Sequence, residues 1–134
     1  MSQPVLKCDG LICLVRFVGD PTDAEFARYL AEMADFTRDT PNHVVVVVPR
    51  SVGRMSSTQR QMQAAFFNEH RDIIERNCNG LAFVTASPVQ RFIMSSVFLL
   101  SRLPCAYVTV ASEADAISWA VQRTRPRIDR KSVV

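Results

Sequence analysis

The sequence predicts an α/β domain. The expected form is a single-layer, mostly parallel five-stranded sheet with an N-terminal β-hairpin and four helices, ordered β-β-α-β-α-β-α-β-α. Three observations lead there. Two β-rich runs, VLKC and LICLVRFV, flank the dipeptide Asp9-Gly10. Three later runs, Val44–Val48, Leu81–Thr85 and Ala106–Val110, are continuously apolar, as strands covered on both faces are. Between and after them lie segments of helical apolar spacing, each opened by a hydroxyl residue. Strand–helix alternation with short connections gives parallel strands joined by right-handed crossovers. The first hairpin strand must then run antiparallel at or near an edge.

Asp9-Gly10 is a type I′ hairpin signal. A two-residue loop there would set Cys8 opposite Leu11, Lys7 opposite Ile12 and Leu6 opposite Cys13. One face would carry Leu6, Cys8, Leu11, Cys13, Val15 and Phe17 and would belong against helices. Thr22-x-x-Glu25 is a capping box for the first helix, with Phe26, Tyr29, Leu30 and Met33 behind it. Ser56-x-x-Gln59 is a second box, opening a helix to about Asn77. Met62, Ala65, Phe66 and Ile73 would face inward, Arg60, Gln63, Asn68 and Asp72 outward, and Phe67 would lie off the stripe. Asn79-Gly80 would stop that helix. Ser87-Pro88-x-Gln90 opens the third helix with proline at the first helical position, followed by Val89, Phe92, Ile93, Val97 and Leu100. Ser112 opens the last, with Ala116, Ile117, Ala120 and Val121 inward and Trp119 on the flank.

A chain of 134 residues suggests one domain, assigned to residues 1–123, with 124–134 as a basic tail. From Arg123 onward there are five basic residues and one acid, which accounts for the whole net charge of +3 and leaves the body near neutral. Such a tail can meet acidic partners, but no aromatic is interleaved with its arginines, so specific nucleic-acid binding is not expected. No apolar run reaches the ~18 residues of a membrane span. No signal peptide is evident, so a cytoplasmic location is expected. Cys8, Cys13, Cys78 and Cys105 form no CxxC or zinc spacing and are expected to be small hydrophobes. Cys78 is a weak nucleophile candidate, because the end of a helix disfavours a thiolate. No metal or cofactor is expected.

In a parallel sheet, ligands bind beyond the carboxyl ends of the strands. That edge should hold Asp20, Arg50, Ser51, Arg54, Ser56, Ser57, Ser87 and Arg91. Helix N-termini and arginines there favour a phosphate, a carboxylate or a phosphorylated side chain. Capping alone explains many of these hydroxyls. The glycines, Gly10, Gly19, Gly53 and Gly80, never share a loop, so no GxGxxG or Walker loop exists. No GxSxG elbow is present either. His43 and His70 are expected at the surface or its boundary. No catalytic residue emerges, and an enzyme is not expected.

The opening hairpin, VVVVVPRSVGRMSSTQR, GLAFVTASPVQRFI and the closing VTVASEADAISWA carry a resemblance. Over roughly residues 5–123 the chain resembles the STAS / anti-sigma-factor-antagonist-like superfamily, and within it the small bacterial STAS/SEC14-type proteins of unassigned function. The resemblance implies a regulatory or scaffolding protein-interaction domain rather than an enzyme. In switchable antagonists a loop D-x-S-G-V-x-x-I-D-S-S-G carries the phosphorylated serine. Here Val48 falls at the first Asp, Ser56 at the second, Ser57 at the phosphorylated serine and Gln59 at the last glycine. The hydroxyl is kept while the aspartates and glycine are replaced, so the motif is not intact and Ser57 is the candidate phosphorylation site. The expected partner is another protein, with a second copy of this chain as an alternative. The other functional reading is a small-ligand or lipid carrier, with a cleft among Met62, Phe66, Phe67, Phe92 and Phe98 near the carboxyl edge.

Overall fold

The computed structural model describes residues 4–17, 20–49, 56–85, 87–89 and 103–124. Its elements are β1 (Pro4–Asp9), β2 (Ile12–Phe17), α1 (Asp23–Asp39), β3 (His43–Pro49), α2 (Ser57–Glu69), α3 (Arg71–Asn77), β4 (Cys78–Val84), β5 (Tyr107–Val110) and α4 (Glu113–Arg123). The sheet order is β1-β2-β3-β4-β5. Strands β2 to β5 run parallel, and β1 lies antiparallel along β2. Parallel neighbours taken in chain order, joined by right-handed crossovers, send successive helices to one side of a sheet. Accordingly α1, α2 and α3 cover one face over Cys13, Val15, Val45, Leu81 and Phe83. The closing helix α4 covers the other through Ala116 and Ala120, which are fully buried on Val44, Val46, Val48 and Ala82.

The β1–β2 turn differs from its expected register. Cys8 pairs with Cys13 and Asp9 with Ile12, so Gly10 and Leu11 form the loop. Gly10 takes φ +60 and Leu11 does not, the pattern of a turn that needs glycine at its first central position. The slip shifts each residue's partner by two positions, so facing residues keep their parity. Leu6, Cys13, Val15 and Phe17 therefore still point to the helical face, while Leu11 sits in the turn.

Helix α1 starts as read. The Glu25 N–H donates to Thr22 Oγ1 at 3.1 Å and the Thr22 N–H to Glu25 Oε1 at 2.8 Å, and Phe26, Tyr29, Leu30 and Met33 are buried. The next helix is not continuous. His70 leaves helical geometry at φ −108, ψ 20 and separates α2 from α3. No side chain caps the restart, so the sequence carries no mark of it. The inward residues are Gln59, Ala64, Phe66, Phe67, Ile74 and Asn77. Met62 and Ile73 are half-buried, Ala65 is exposed, and Arg60 and Gln63 are half-buried rather than outward.

Asn79 and Gly80 belong to β4 instead of ending a helix. Helix α3 closes on Cys78, whose N–H donates to the Ile74 carbonyl in extended backbone that needs no glycine. Gly80 is required from the other side of the sheet, because a Cβ there would lie 2.5 Å from the Trp119 ring. Arg123 stacks over that indole at 5.2 Å and donates to the Asn79 carbonyl at 3.3 Å. The Asn79 amide in turn donates to the Arg123 carbonyl at 2.7 Å, so α4 is bolted to the start of β4. Pro88 and Val89 are helical, while Phe92, Ile93, Val97 and Leu100 of the expected third helix lie outside the described residues.

Candidate functional site

The parallel strands deliver their carboxyl ends to one edge, where Thr22, Ser56 and Ser112 cap α1, α2 and α4. Ser56 Oγ accepts from the Gln59 N–H at 3.0 Å. Only half of the expected box forms there, because the Gln59 side chain is buried and turned toward α1. Its amide donates to the Pro21 carbonyl at 2.8 Å and to Asp23 Oδ1 at 3.0 Å. Two helix N-termini are thereby locked side by side. Above this lock Ser56, Ser57 and Thr58 are exposed, as is Asp20. Ser57 Oγ accepts from the Arg60 guanidinium at 3.1 Å, a cation the sequence assigned only to an outer helix face. Ser87 is half-buried, and its N–H donates to Thr85 Oγ1 at 3.1 Å. Arg50, Ser51, Arg54 and Arg91 lie outside the described residues.

A second constellation was not anticipated. His43 is 1 % exposed, not at the surface, and it pairs in register with Cys78. The ladder is irregular here: His43 pairs with Cys78 but Val44 with Gly80, so Asn79 is an extra residue on β4. In a regular strand Cys78 would share a face with Gly80 and Ala82. The bulge turns it instead to the helical face beside Leu81 and Phe83. His43 Nδ1 lies 2.7 Å from the Thr40 carbonyl, to which it must donate. That leaves Nε2 as the acceptor nitrogen of an imidazole that pairs with Cys78 across the ladder and lowers its thiol. The Cys105 sulfur sits 3.8 Å from that of Cys78.

These contacts set the thiol chemistry. Cys105 and, next, His43 pull the Cys78 thiol below its ordinary value, against a burial that opposes ionisation. The Gly80 carbonyl, 3.3 Å from Cys78, accepts from the neutral thiol. The helix-end position read from the sequence is real, and local partners outweigh it. Cys13 is the opposite case. Its sulfur lies 2.7 Å from that of Cys8, and burial raises its thiol far above the usual range.

His43, Cys78 and Cys105 line a cavity of about 60 Å³ between the sheet and α1 to α3, together with Phe17, Phe66 and Phe67 among others. It is far smaller than the ~300 Å³ at which drug-sized ligand pockets begin. Of the cleft expected from the sequence it includes Phe66 and Phe67, while Phe92 and Phe98 lie outside the described residues. Among the described residues no group of three or more His, Cys, Asp or Glu side chains is arranged to hold a metal ion. On the opposite face Arg16 pairs with Glu113 at 2.6 Å, joining β2 to the start of α4. No described helix is long and apolar enough to cross a membrane.

No family model and no curated protein matches the sequence. Solved structures do match. An uncharacterized protein of the DUF3478 family with a SpoIIAA-like fold, from Shewanella loihica PV-4, is 15% identical with a TM-score of 0.61, over 90% of this chain and 95% of that one. An anti-sigma factor antagonist from Mycobacterium paratuberculosis is 10% identical with a TM-score of 0.56, again over 90% and 95% of the two chains. The chain therefore has a SpoIIAA-like fold.

Proposed function

We propose that this chain of STAS-like fold is a regulatory or scaffolding domain that binds another protein through the rim at the start of α2. The observation that carries the reading is the rigid base beneath an exposed hydroxyl run. Gln59 fixes the N-terminus of α2 to that of α1, and Ser56, Ser57 and Thr58 stand clear above it. A preorganised surface loses little entropy on docking. The described rim hydroxyls of Ser56, Ser57 and Thr85 accept from neighbouring N–H groups, which holds them in place for docking. The fold likeness to an anti-sigma factor antagonist supports the same class of role by analogy. Asp20, Ser56, Ser57 and Ser87, with Arg50, Ser51, Arg54 and Arg91, are the contact residues of this proposal. A cytoplasmic location belongs to it as well.

A photo-crosslinking amino acid placed at Ser57 tests it. Asp35, exposed near the far end of α1, is the control position. In the native cell Ser57 should capture one discrete protein that Asp35 does not. Identical patterns from both positions would end the proposal. A carrier role rests only on the small apolar cavity, and a native mass spectrum showing a bound lipid would favour it.

A further inference from the structure

The His43–Cys78–Cys105 constellation lies under the helices, away from the rim, and the proposed interaction does not use it. Three features make it more than a buried cysteine. A bulge at Asn79 turns Cys78 toward His43 rather than toward α4. The Thr40 carbonyl fixes the imidazole tautomer, leaving Nε2 as the acceptor nitrogen of the residue paired with Cys78. A second sulfur stands 3.8 Å away, next to a cavity of about 60 Å³. That volume holds several water-sized molecules, since one needs roughly 10–15 Å³ of such space. Peroxide is of that size.

We propose that Cys78 and Cys105 form a peroxide-reactive dithiol, in which Cys78 is the attacking sulfur, His43 receives its proton and Cys105 closes the disulfide. In the first step the Cys78 sulfur attacks one oxygen of hydrogen peroxide. An S–O bond forms, the O–O bond breaks, and the departing hydroxide takes the proton held on His43 and leaves as water. Cys78 is then a sulfenic acid. In the second step the Cys105 sulfur attacks that of Cys78. An S–S bond forms, the S–O bond breaks, and hydroxide leaves with the Cys105 proton as a second water. Two thiols lose two electrons to one peroxide, giving one disulfide and two waters.

Geometry permits closure. The sulfurs must approach from 3.8 Å to about 2.05 Å, and Cys105 lies in the bend that precedes β5, outside any helix or strand. Cys13 serves as an internal comparison, because its burial holds the proton on. The lowered Cys78 thiol supports the assignment by raising its reactive fraction near neutral pH.

The test uses the full chain carrying Cys8→Ser, a change at an exposed position that removes the competing pair with Cys13. Reduced protein is treated with hydrogen peroxide, alkylated, digested without reductant and read by mass spectrometry. The expected product is a peptide pair linked through Cys78 and Cys105, with Cys78 consumed at least about ten times faster than Cys13. A Cys105→Ser variant should lose the link and accumulate sulfenic acid on Cys78, trapped by dimedone. Cys78 recovered fully alkylated while Cys13 is oxidised would overturn the proposal. So would dimedone capture on Cys105 at an undiminished rate in a Cys78→Ser variant. If either second variant fails to fold, presence or absence of the link in the Cys8→Ser protein decides alone.

Discussion

Replacing Gly80 with alanine should destabilise the protein, although glycine within a strand is normally a weakness. The new Cβ would lie 2.5 Å and 2.9 Å from two carbons of the Trp119 ring. Contacts that short force a displacement, and the ring has little freedom to give. Arg123 covers it at 5.2 Å, and that arginine is held by the Asn79 carbonyl on the same strand. Overpacking of this kind costs about 1–3 kcal/mol. The reduced freedom of the unfolded chain returns about 0.4–1 kcal/mol. The net expectation is a loss of about 1–2 kcal/mol, or a Tm lower by about 5 °C for a chain of this size. Urea unfolding followed by fluorescence suits the case, since Trp119 is the only tryptophan. Trp119→Leu supplies the cycle: in that background, read by circular dichroism, Gly80→Ala should cost much less. An unchanged or raised midpoint for Gly80→Ala in the parent protein would show that β4 and α4 are not packed as described.

Other outcomes follow from the same geometry. Ser56→Ala should cost about 0.5–2 kcal/mol in urea, because it deletes the acceptor for the Gln59 N–H. Ser57→Asp should be neutral or slightly stabilising, since a carboxylate suits a first helical turn and Arg60 is beside it. Burial raises the Cys13 thiol and the Tyr29 hydroxyl far above their ordinary values of 9.0 and 10.0. The folded chain then keeps protons that the unfolded chain releases, so stability should fall as pH rises through 9 and 10. Tyr29→Phe should flatten the upper part of that decline in a pH series of melts. Removing residues 125–134 should leave Tm within about a degree, since that segment is polar and contains Pro126.

Much of the fold was legible because local chemistry and packing agree. Thr22, Ser56 and Ser112 announce the helices they cap, and five valines in succession belong to a strand covered on both sides. What was hidden depends on pairs distant in sequence. Gly80 read as a helix stop, because the indole that excludes a side chain is Trp119, 39 positions away. The hairpin register turned on which of two residues adopts positive φ, and Asp9-Gly10 suits either arrangement. The break at His70 has no capping side chain to reveal it. Of the rim, Ser56 could be placed as a cap, but the Gln59 bridge to Pro21 and Asp23 joins residues 36 and 38 apart. The meeting of His43 with Cys78 was illegible for a sharper reason. Strict alternation puts Cys78 on the face of Gly80, and only the bulge at Asn79 reverses it.

Affinity for the captured partner decides whether the start of α2 is a protein-binding surface. Binding should be measured with the parent chain, with Ser57→Arg and with Asp35→Arg, after melts establish that both variants fold. Ser57→Arg should weaken Kd at least about tenfold, a loss of about 1.4 kcal/mol, while Asp35→Arg should leave it unchanged. Equal affinities for all three chains, or a loss confined to Asp35→Arg, would rule that surface out.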